Sequence, residues 1–220
     1  MADLPTKVLI ESENALFWYI PDWFLEEKEL YEDLLKNIPW EQMTGSIAGK
    51  EYKVPRLTYH VGDNEINKYK SYGGNKIAFH SWYPKLKEMR DHLQECLDVK
   101  LDSCLLNYYI DGKSSIAAHS DRESMGRNAA TVGISLGESR KFIWRKIGVK
   151  RTKGMIKEIR DGVTYVKCPD GTMHSISFET KGGDLYMMSG MIHELWKHEI
   201  PKTKEEKGGR ISLTFRQLMS

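Results

Sequence analysis

From Leu101 onward the chain is a succession of short segments separated by turn signals, and this texture limits the available folds more than any other feature. Asp161-Gly162 and Asp170-Gly171 are strong hairpin turns. Strands are predicted at 104–110, 115–121, 129–136, 140–145, 155–160, 163–168, 173–178, 184–188, 194–200 and 210–217. So many short strands indicate an antiparallel sandwich or jelly roll, the double-stranded β-helix.

The first hundred residues differ, because apolar side chains recur there at helical spacing. This periodicity predicts one helix within 22–38 and a second over 84–97. No internal repeat and no Gly/Ser-rich linker separates these helices from the strands. We therefore expect a single α+β domain over 1–220, with N-terminal helices in 1–100 that brace one outer face of a jelly-roll core in 101–220.

Composition excludes several classes of protein. A chain of 220 residues with 40% apolar and 29% charged residues can bury a core without disulfide bonds. Three cysteines without CxxC spacing suit a reducing compartment, and no apolar run approaches the length of about 18 residues that a membrane span needs. The first residues lack the pattern of a secretory signal. We expect a monomeric intracellular protein, cytoplasmic or nuclear, with no membrane partner.

The segment His119-Ser120-Asp121 is the first candidate for chemistry. In an extended segment, residues two apart share a face, so the imidazole and the carboxylate converge. One further histidine would complete a two-His, one-carboxylate set, which favours non-haem Fe(II) and leaves positions for a chelating cosubstrate and dioxygen. His198 and His193 both qualify by spacing. A surface turn or an ordinary hydrogen-bonded pair would give the same His-x-Asp pattern.

Polar and apolar residues alternate without a break along the C-terminal segment 210–216. A polar face in solvent is the ordinary arrangement for an antiparallel strand. If this face instead lines a barrel interior, Arg210 and Arg216 point into a cavity, where two guanidinium groups suit a dicarboxylate. Asn107 and Tyr109 also share a face, and they either offer an amide and a phenol to a carboxylate or simply pack in a strand.

Taken in their order along the chain, these segments resemble the AlkB family of Fe(II)/2-oxoglutarate dioxygenases. The resemblance rests on the Asn-x-Tyr of 105–112, the His-x-Asp with a trailing acid of 119–123, the strand end at 134–137, and the closing Arg-x5-Arg of 210–216, where Ser212 replaces the family's Asn. Residues 55–63 and 69–74 more loosely resemble the lid of the nucleic-acid-repairing branch.

The resemblance implies Fe(II), 2-oxoglutarate and dioxygen as cofactors. It implies that the catalytic iron ligands are His119, Asp121 and His198, the last preferred to His193 because Ile-Pro follows closely. It places 2-oxoglutarate among Asn107, Tyr109, Arg210, Ser212 and Arg216. The implied reaction hydroxylates an N-methyl group of a 1-methyladenine or 3-methylcytosine type of base, in DNA or RNA, and releases formaldehyde.

Two further features favour a nucleic-acid partner. Residues 145–153 hold five cations and no acid, which suits phosphates as well as a solvated loop. Residues 52–83 interleave aromatic and basic side chains, as in sites that stack an extruded base. The predicted substrate-binding residues are Tyr72 or Tyr69 as the stacking ring, Glu123 at a base edge, and Arg56, Lys150 and Arg151.

Two alternative functions remain open from the sequence. The same oxygenase chemistry would serve a protein or small-molecule substrate. The second alternative function is a catalytically silent module that only binds nucleic acid. A complete set of candidate iron ligands argues against it.

Overall fold

The computed structural model describes residues 6–12, 15–47, 49–63, 78–121 and 130–217. The helices are α1 (Glu27–Asn37), α2 (Pro84–Leu97) and α3 (Ile192–Leu195). The strands of the first half are β1 (Lys7–Ser12), β2 (Ala15–Ile20), β3 (Thr44–Ile47), β4 (Lys50–Lys53), β5 (Leu57–Gly62), β6 (Ser103–Tyr109) and β7 (Ile116–His119). Those of the second half are β8 (Thr131–Gly137), β9 (Arg140–Lys146), β10 (Ile156–Arg160), β11 (Val163–Lys167), β12 (Met173–Thr180), β13 (Leu185–Gly190), β14 (Trp196–Ile200) and β15 (Arg210–Arg216).

Two large sheets hold most of the strands. The seven-stranded sheet has the order β1-β2-β13-β8-β15-β6-β5, and the six-stranded sheet has the order β10-β11-β12-β9-β14-β7. Neighbouring strands in both sheets are antiparallel. A core cluster that draws on both sheets, including Phe17 and Trp144, fills the space between them. The predicted α+β jelly roll is therefore confirmed.

The two longer helices cover the outer face of the seven-stranded sheet. Leu34 of α1 and Leu93 of α2 are fully buried, in one cluster with apolar side chains of β6, β8 and β15. Helix α2 begins at Pro84, which has no N–H to leave unpaired in a first turn, and it has the bounds that the periodicity predicts. Helix α1 begins at Glu27, several residues later than the predicted segment, because residues 21 to 26 form turns.

The alternation of β15 decides between the two arrangements that its sequence allows. Ile211, Leu213 and Phe215 are fully buried beneath the helices. The opposite face carries Arg210 and Arg216 and points between the two sheets, where both guanidinium groups line a cavity. The polar face of this strand is therefore interior, because α1 and α2 cover the apolar face.

The structure adds strands that the sequence analysis does not predict. β1, β2 and β5 come from the first hundred residues and complete the seven-stranded sheet. β2 is short and largely apolar, and periodicity alone cannot separate such a run from a buried helical segment. The predicted strand 194–200 begins as the helical turn α3 and continues as β14. Within the described ranges, we find no helix with the length and apolarity needed to cross a bilayer.

Candidate metal and cosubstrate site

A cavity opens between the two sheets. β5, β6 and β15 form one wall of it, and β7, β9 and β14 contribute side chains to the other. Among the residues lining it are the predicted Arg56, Asn107, Tyr109, His119, Asp121, His198, Arg210, Ser212 and Arg216. The fold thus brings together residues that are up to 160 positions apart in the chain, from 56 to 216.

His119, Asp121 and His198 meet at this cavity. His119 ends β7 and lies opposite His198 of β14 in the strand register, so that the ring centroids are 4.4 Å apart. Asp121 Oδ1 is 3.4 Å from His119 Nε2, and Asp121 Oδ2 is 3.9 Å from His198 Nε2. One donor atom from each side chain falls within 4.8 Å of the others. The donor types and their spacing fit a single ferrous ion with three open positions.

A backbone carbonyl prepares His119 as a ligand. The ring Nδ1 lies 2.8 Å from the carbonyl oxygen of Ala117. Because a carbonyl only accepts, Nδ1 carries a proton, and in the neutral ring Nε2 then keeps its lone pair for a metal. The same contact fixes the orientation of the ring.

The electrostatics of the cluster also suit a metal. Burial favours the uncharged form of Asp121, but Arg216 and the two histidines outweigh it and hold the pKa of Asp121 well below its usual range. Burial, followed by the charge of His119, holds the pKa of His198 well below its usual range as well. The cluster therefore presents a carboxylate and a neutral imidazole at neutral pH, the forms that bind a cation.

His193 lies in α3, outside this set. Its ring centroid is 6.4 Å from that of His198, and its side chain is buried. The geometry therefore groups His198, and not His193, with His119 and Asp121.

Arg210 presents unused donors to the cavity. Its side chain is 1% exposed, its Nη2 donates to Ser135 Oγ at 2.6 Å, and its Cζ lies 5.3 Å from the centroid of the Tyr109 ring. Its Nε and Nη1 are buried and have no hydrogen-bond partner among the described residues. A buried guanidinium with free donors is costly unless an anion takes them, so Arg210 fits one carboxylate of 2-oxoglutarate.

Arg216 differs from Arg210, because it contacts the metal cluster. Its Nη2 lies 2.9 Å from Asp121 Oδ2, an ionic contact without the alignment of a hydrogen bond. Its Nε is buried and has no hydrogen-bond partner in the described part of the chain. Arg216 therefore lines the cavity and contacts the candidate metal cluster at Asp121.

The other predicted cosubstrate residues lie on β15 and on its neighbour β6. Asn107 lies directly opposite Ser212 in the register of β6 and β15, and Tyr109 lies opposite Arg210. The Ser212 hydroxyl is 3.2 Å from the Tyr186 hydroxyl. Tyr109 is almost fully buried, and burial raises the pKa of its phenol, which therefore stays protonated.

The predicted substrate-binding residues fall in different places. Arg56 reaches into the cavity, where its Nε donates to Asn107 Oδ1 at 2.7 Å. Lys150 and Arg151 are exposed in the connection between β9 and β10. Tyr69, Tyr72 and Glu123 lie outside the described residues. Arg145, one of the five clustered cations, forms an ion pair with Glu199, in which Arg145 Nη2 is 2.6 Å from Glu199 Oε1.

Two residues that the sequence analysis does not single out also shape the site. Arg140 is 1% exposed and donates to the carbonyls of Asp111, Ser114 and Pro201. His60 is buried on β5 and lines the cavity. Strand alternation could have found Arg140, because it shares the face of Phe142 and Trp144, where a charged residue is unexpected.

Comparison with known proteins places this geometry in a family. Residues 17–216 match the 2OG-Fe(II) oxygenase superfamily. The chain is 29% identical over 199 residues to the human protein named alkB homolog 3, an alpha-ketoglutarate-dependent dioxygenase, with 89% of this chain and 60% of the relative covered. It is 28% identical over 201 residues to the Arabidopsis thaliana protein named DNA oxidative demethylase ALKBH2, covering 89% and 63% of the two chains.

The match to these relatives spans about 60% of their length. A solved structure titled "The structure of OsALKBH1" superposes with a TM-score of 0.60 at 13% identity, covering 96% of this chain and 100% of that chain, and it supports the fold alone. The resemblance to AlkB proteins and the cofactors Fe(II), 2-oxoglutarate and dioxygen are confirmed. The chain belongs to the 2OG-Fe(II) oxygenase superfamily and is AlkB-like within it.

Proposed function

We propose that the protein is an Fe(II)/2-oxoglutarate-dependent oxidative demethylase of N-methylated bases in DNA or RNA. The observation that carries this proposal is the position of the His119, Asp121 and His198 cluster beside buried guanidinium donors in one cavity. The names of the AlkB relatives, which include a DNA oxidative demethylase, support the choice of substrate.

In this proposal each part of the cavity has one task. His119, Asp121 and His198 hold Fe(II), while Arg210, Arg216, Asn107, Tyr109 and Ser212 hold 2-oxoglutarate. With both bound, the cofactors supply hydroxylation of a C–H bond, coupled to conversion of 2-oxoglutarate and dioxygen into succinate and carbon dioxide. The side chains of the cavity exclude water and bring the methyl carbon to the metal. A hydroxymethyl group on a base nitrogen then leaves as formaldehyde.

Exposed cations near the metal end of the six-stranded sheet support a nucleic-acid substrate. Lys146, which is half-buried, ends β9 opposite Trp196, two residues from His198 on β14, and the exposed Lys150 and Arg151 follow in the next loop. Cations placed in this way can bind phosphates and hold a strand with its base at the cavity. The proposal also includes Tyr72 or Tyr69 as the ring that stacks on that base, and Glu123 as a contact to the edge of the base.

Mass spectrometry of methylated oligonucleotides tests the proposal. The purified protein is incubated with Fe(II), 2-oxoglutarate and ascorbate, and with 1-methyladenine or 3-methylcytosine in single- and double-stranded DNA or RNA. We expect loss of the methyl mass together with formation of succinate, and loss of both in His119→Ala. Arg160→Gln is a matched control, because Arg160 is exposed on β10 and already paired with Glu158.

The same experiment separates the alternatives. Succinate without any change in the oligonucleotides would point to a protein or small-molecule substrate. Oligonucleotide binding that is equal in the wild type and in His119→Ala, without succinate, would point to a silent binding module.

A further inference from the structure

Arg56 is directed inward by its position in the chain. It immediately precedes β5, in which Thr58 and His60 also line the cavity, so that alternation puts all three on one face. The backbone around it is held, since the N–H of Ser115 donates to the carbonyl of Pro55 at 3.0 Å. The Arg56 side chain is half-buried, and its Nη1 reaches the carbonyl of Ser115 at 3.5 Å.

The contact between Arg56 and Asn107 fixes the orientation of the amide. A guanidinium group has only donors, so the Asn107 atom 2.7 Å from Arg56 Nε must be the carbonyl oxygen. Both amide protons are then on Nδ2, turned away from Arg56. Asn107 lies between Thr58 of β5 and Ser212 of β15, and it is 5% exposed, which leaves its side chain little freedom to rotate.

The charge of Arg56 acts inside the cavity. Burial raises the pKa of Tyr109, and the positive charge of Arg56 is the largest of the effects that oppose it. Burial lowers the pKa of His60, and Arg56 adds to that shift. No ion pair joins Arg56 to a carboxylate in the described part of the chain. Its guanidinium lines the same cavity as Arg210 and Tyr109, with no carboxylate of the described residues paired to it.

We propose that Arg56 is a positioning residue of the cosubstrate site, which holds the Asn107 amide with its Nδ2 protons directed at 2-oxoglutarate, rather than a contact to nucleic acid. This inference rests on the proposed function, because it needs 2-oxoglutarate in the cavity. It replaces the substrate-binding role that the sequence resemblance suggests for Arg56.

Calorimetric titration of 2-oxoglutarate into Arg56→Met tests this role, with Mn(II) in place of Fe(II) so that no turnover occurs. We expect the dissociation constant of 2-oxoglutarate to rise about tenfold, since a hydrogen bond made by a charged group is lost and the amide is freed. The affinity of the same variant for a methylated oligonucleotide should stay within about twofold of wild type. The reciprocal variant Arg151→Met should weaken oligonucleotide binding and leave 2-oxoglutarate binding unchanged.

A double-mutant cycle shows whether Arg56 acts through Asn107. Adding Arg56→Met to Asn107→Ala should cause no further loss of 2-oxoglutarate affinity, because the amide that Arg56 orients is already gone. An equal loss in both backgrounds would overturn the positioning role, since Arg56 would then act on the cosubstrate by itself. Unfolding in urea, measured without 2-oxoglutarate, verifies that each variant is folded, and Arg56→Gln replaces Arg56→Met if the latter is not.

The outcomes separate this inference from the proposed function. A wild-type protein that binds no 2-oxoglutarate in the presence of Mn(II) would overturn both. A wild type that binds it, with Arg56→Met binding equally well, would overturn the inference alone.

Discussion

Three arginine side chains line the cavity, and each has different neighbours. Arg56 contacts an amide, Arg216 contacts the carboxylate of Asp121, and Arg210 keeps two nitrogen atoms buried without a partner among the described residues. The arginine with the most unpaired N–H groups gains the most hydrogen bonds when an anion binds. Arg210 should therefore contribute more to 2-oxoglutarate binding than either of the others.

We expect Arg210→Met to weaken 2-oxoglutarate binding roughly 100-fold, because two charge-assisted hydrogen bonds are lost. Metal affinity should change little, since Arg210 does not contact the ligand cluster. Calorimetric titrations of 2-oxoglutarate and of Mn(II) measure the two effects separately. Equal 2-oxoglutarate affinity in the variant and the wild type would contradict this assignment.

His60 provides a prediction on acid stability. Burial, then the charges of Arg216, His80 and Arg56, lowers the pKa of His60 from its usual 6.5 to about 3. Below pH 6.5 the unfolded chain therefore binds a proton that the folded chain does not, and the free energy of unfolding decreases as the pH falls toward 3.

His60→Gln removes this titration. Between about pH 7.5 and about pH 5, the variant should lose about 2 kcal/mol less unfolding free energy than the wild type. Urea unfolding at the two pH values gives the comparison. An equal decrease in both proteins would show that the ring of His60 is not kept neutral by the fold.

The site residues differ in how far the sequence alone identifies them. Spacing alone pairs His119 with Asp121, but it leaves His193 and His198 equivalent, and only the resemblance and then the register of β7 and β14 separate them. The inward direction of Arg56 depends on β5, a strand that the sequence does not predict, and the resemblance instead places this residue in the lid.

At the scale of secondary structure, Arg140 links the connections that flank the proposed metal ligands His119 and His198. It lies on β9 and donates to carbonyls in the β6–β7 connection, which leads to His119, and in the β14–β15 connection, which follows His198. The three donor–acceptor distances are 2.8 to 2.9 Å. One buried side chain thus holds both connections in place.

Arg140→Met would leave these carbonyls without their donor. We expect the free energy of unfolding to fall by roughly 3 kcal/mol, in the range of broken buried hydrogen-bond networks, together with a weaker affinity for Mn(II). Lys141→Met is the matched control, because Lys141 is exposed on the opposite face of β9. An unfolding free energy for Arg140→Met within about 0.5 kcal/mol of wild type would contradict the role of Arg140.

The strands after residue 101 were predictable because turn signals separate them, whereas those before it were not. β2 lacks alternation, and β5 follows Pro55 in a stretch rich in charged and aromatic residues. Both become strands because they pair with β13 and β6, which are distant in sequence. Long-range pairing of this kind leaves little local signal.

At the scale of the whole molecule, charge is distributed unevenly over the six-stranded sheet. Arg160 and Lys167 pair with Glu158 on the β10–β11 hairpin, and Arg145 pairs with Glu199. Lys150 and Arg151, in the loop before β10, are exposed and have no ion pair within the described ranges. This loop therefore has cations free to bind phosphate, while the hairpin beyond it is largely neutralised.

Replacing both Lys150 and Arg151 by Gln should weaken oligonucleotide binding and make its salt dependence shallower. The slope of log affinity against log salt should decrease by about 1.5, because two phosphate contacts no longer release counterions. Arg160→Gln should leave the slope unchanged. Fluorescence anisotropy over a series of salt concentrations measures the slopes, and equal slopes in the wild type and the double variant would contradict this placement of the nucleic acid.

The proposed function requires one ferrous ion held by His119, Asp121 and His198. Anaerobic equilibrium dialysis against Fe(II) tests it most directly, with His198→Ala compared with His193→Ala. We predict one iron per chain in the wild type and in His193→Ala, and loss of iron in His198→Ala. Iron retained by His198→Ala and lost by His193→Ala, or a wild type that binds none, would contradict the account.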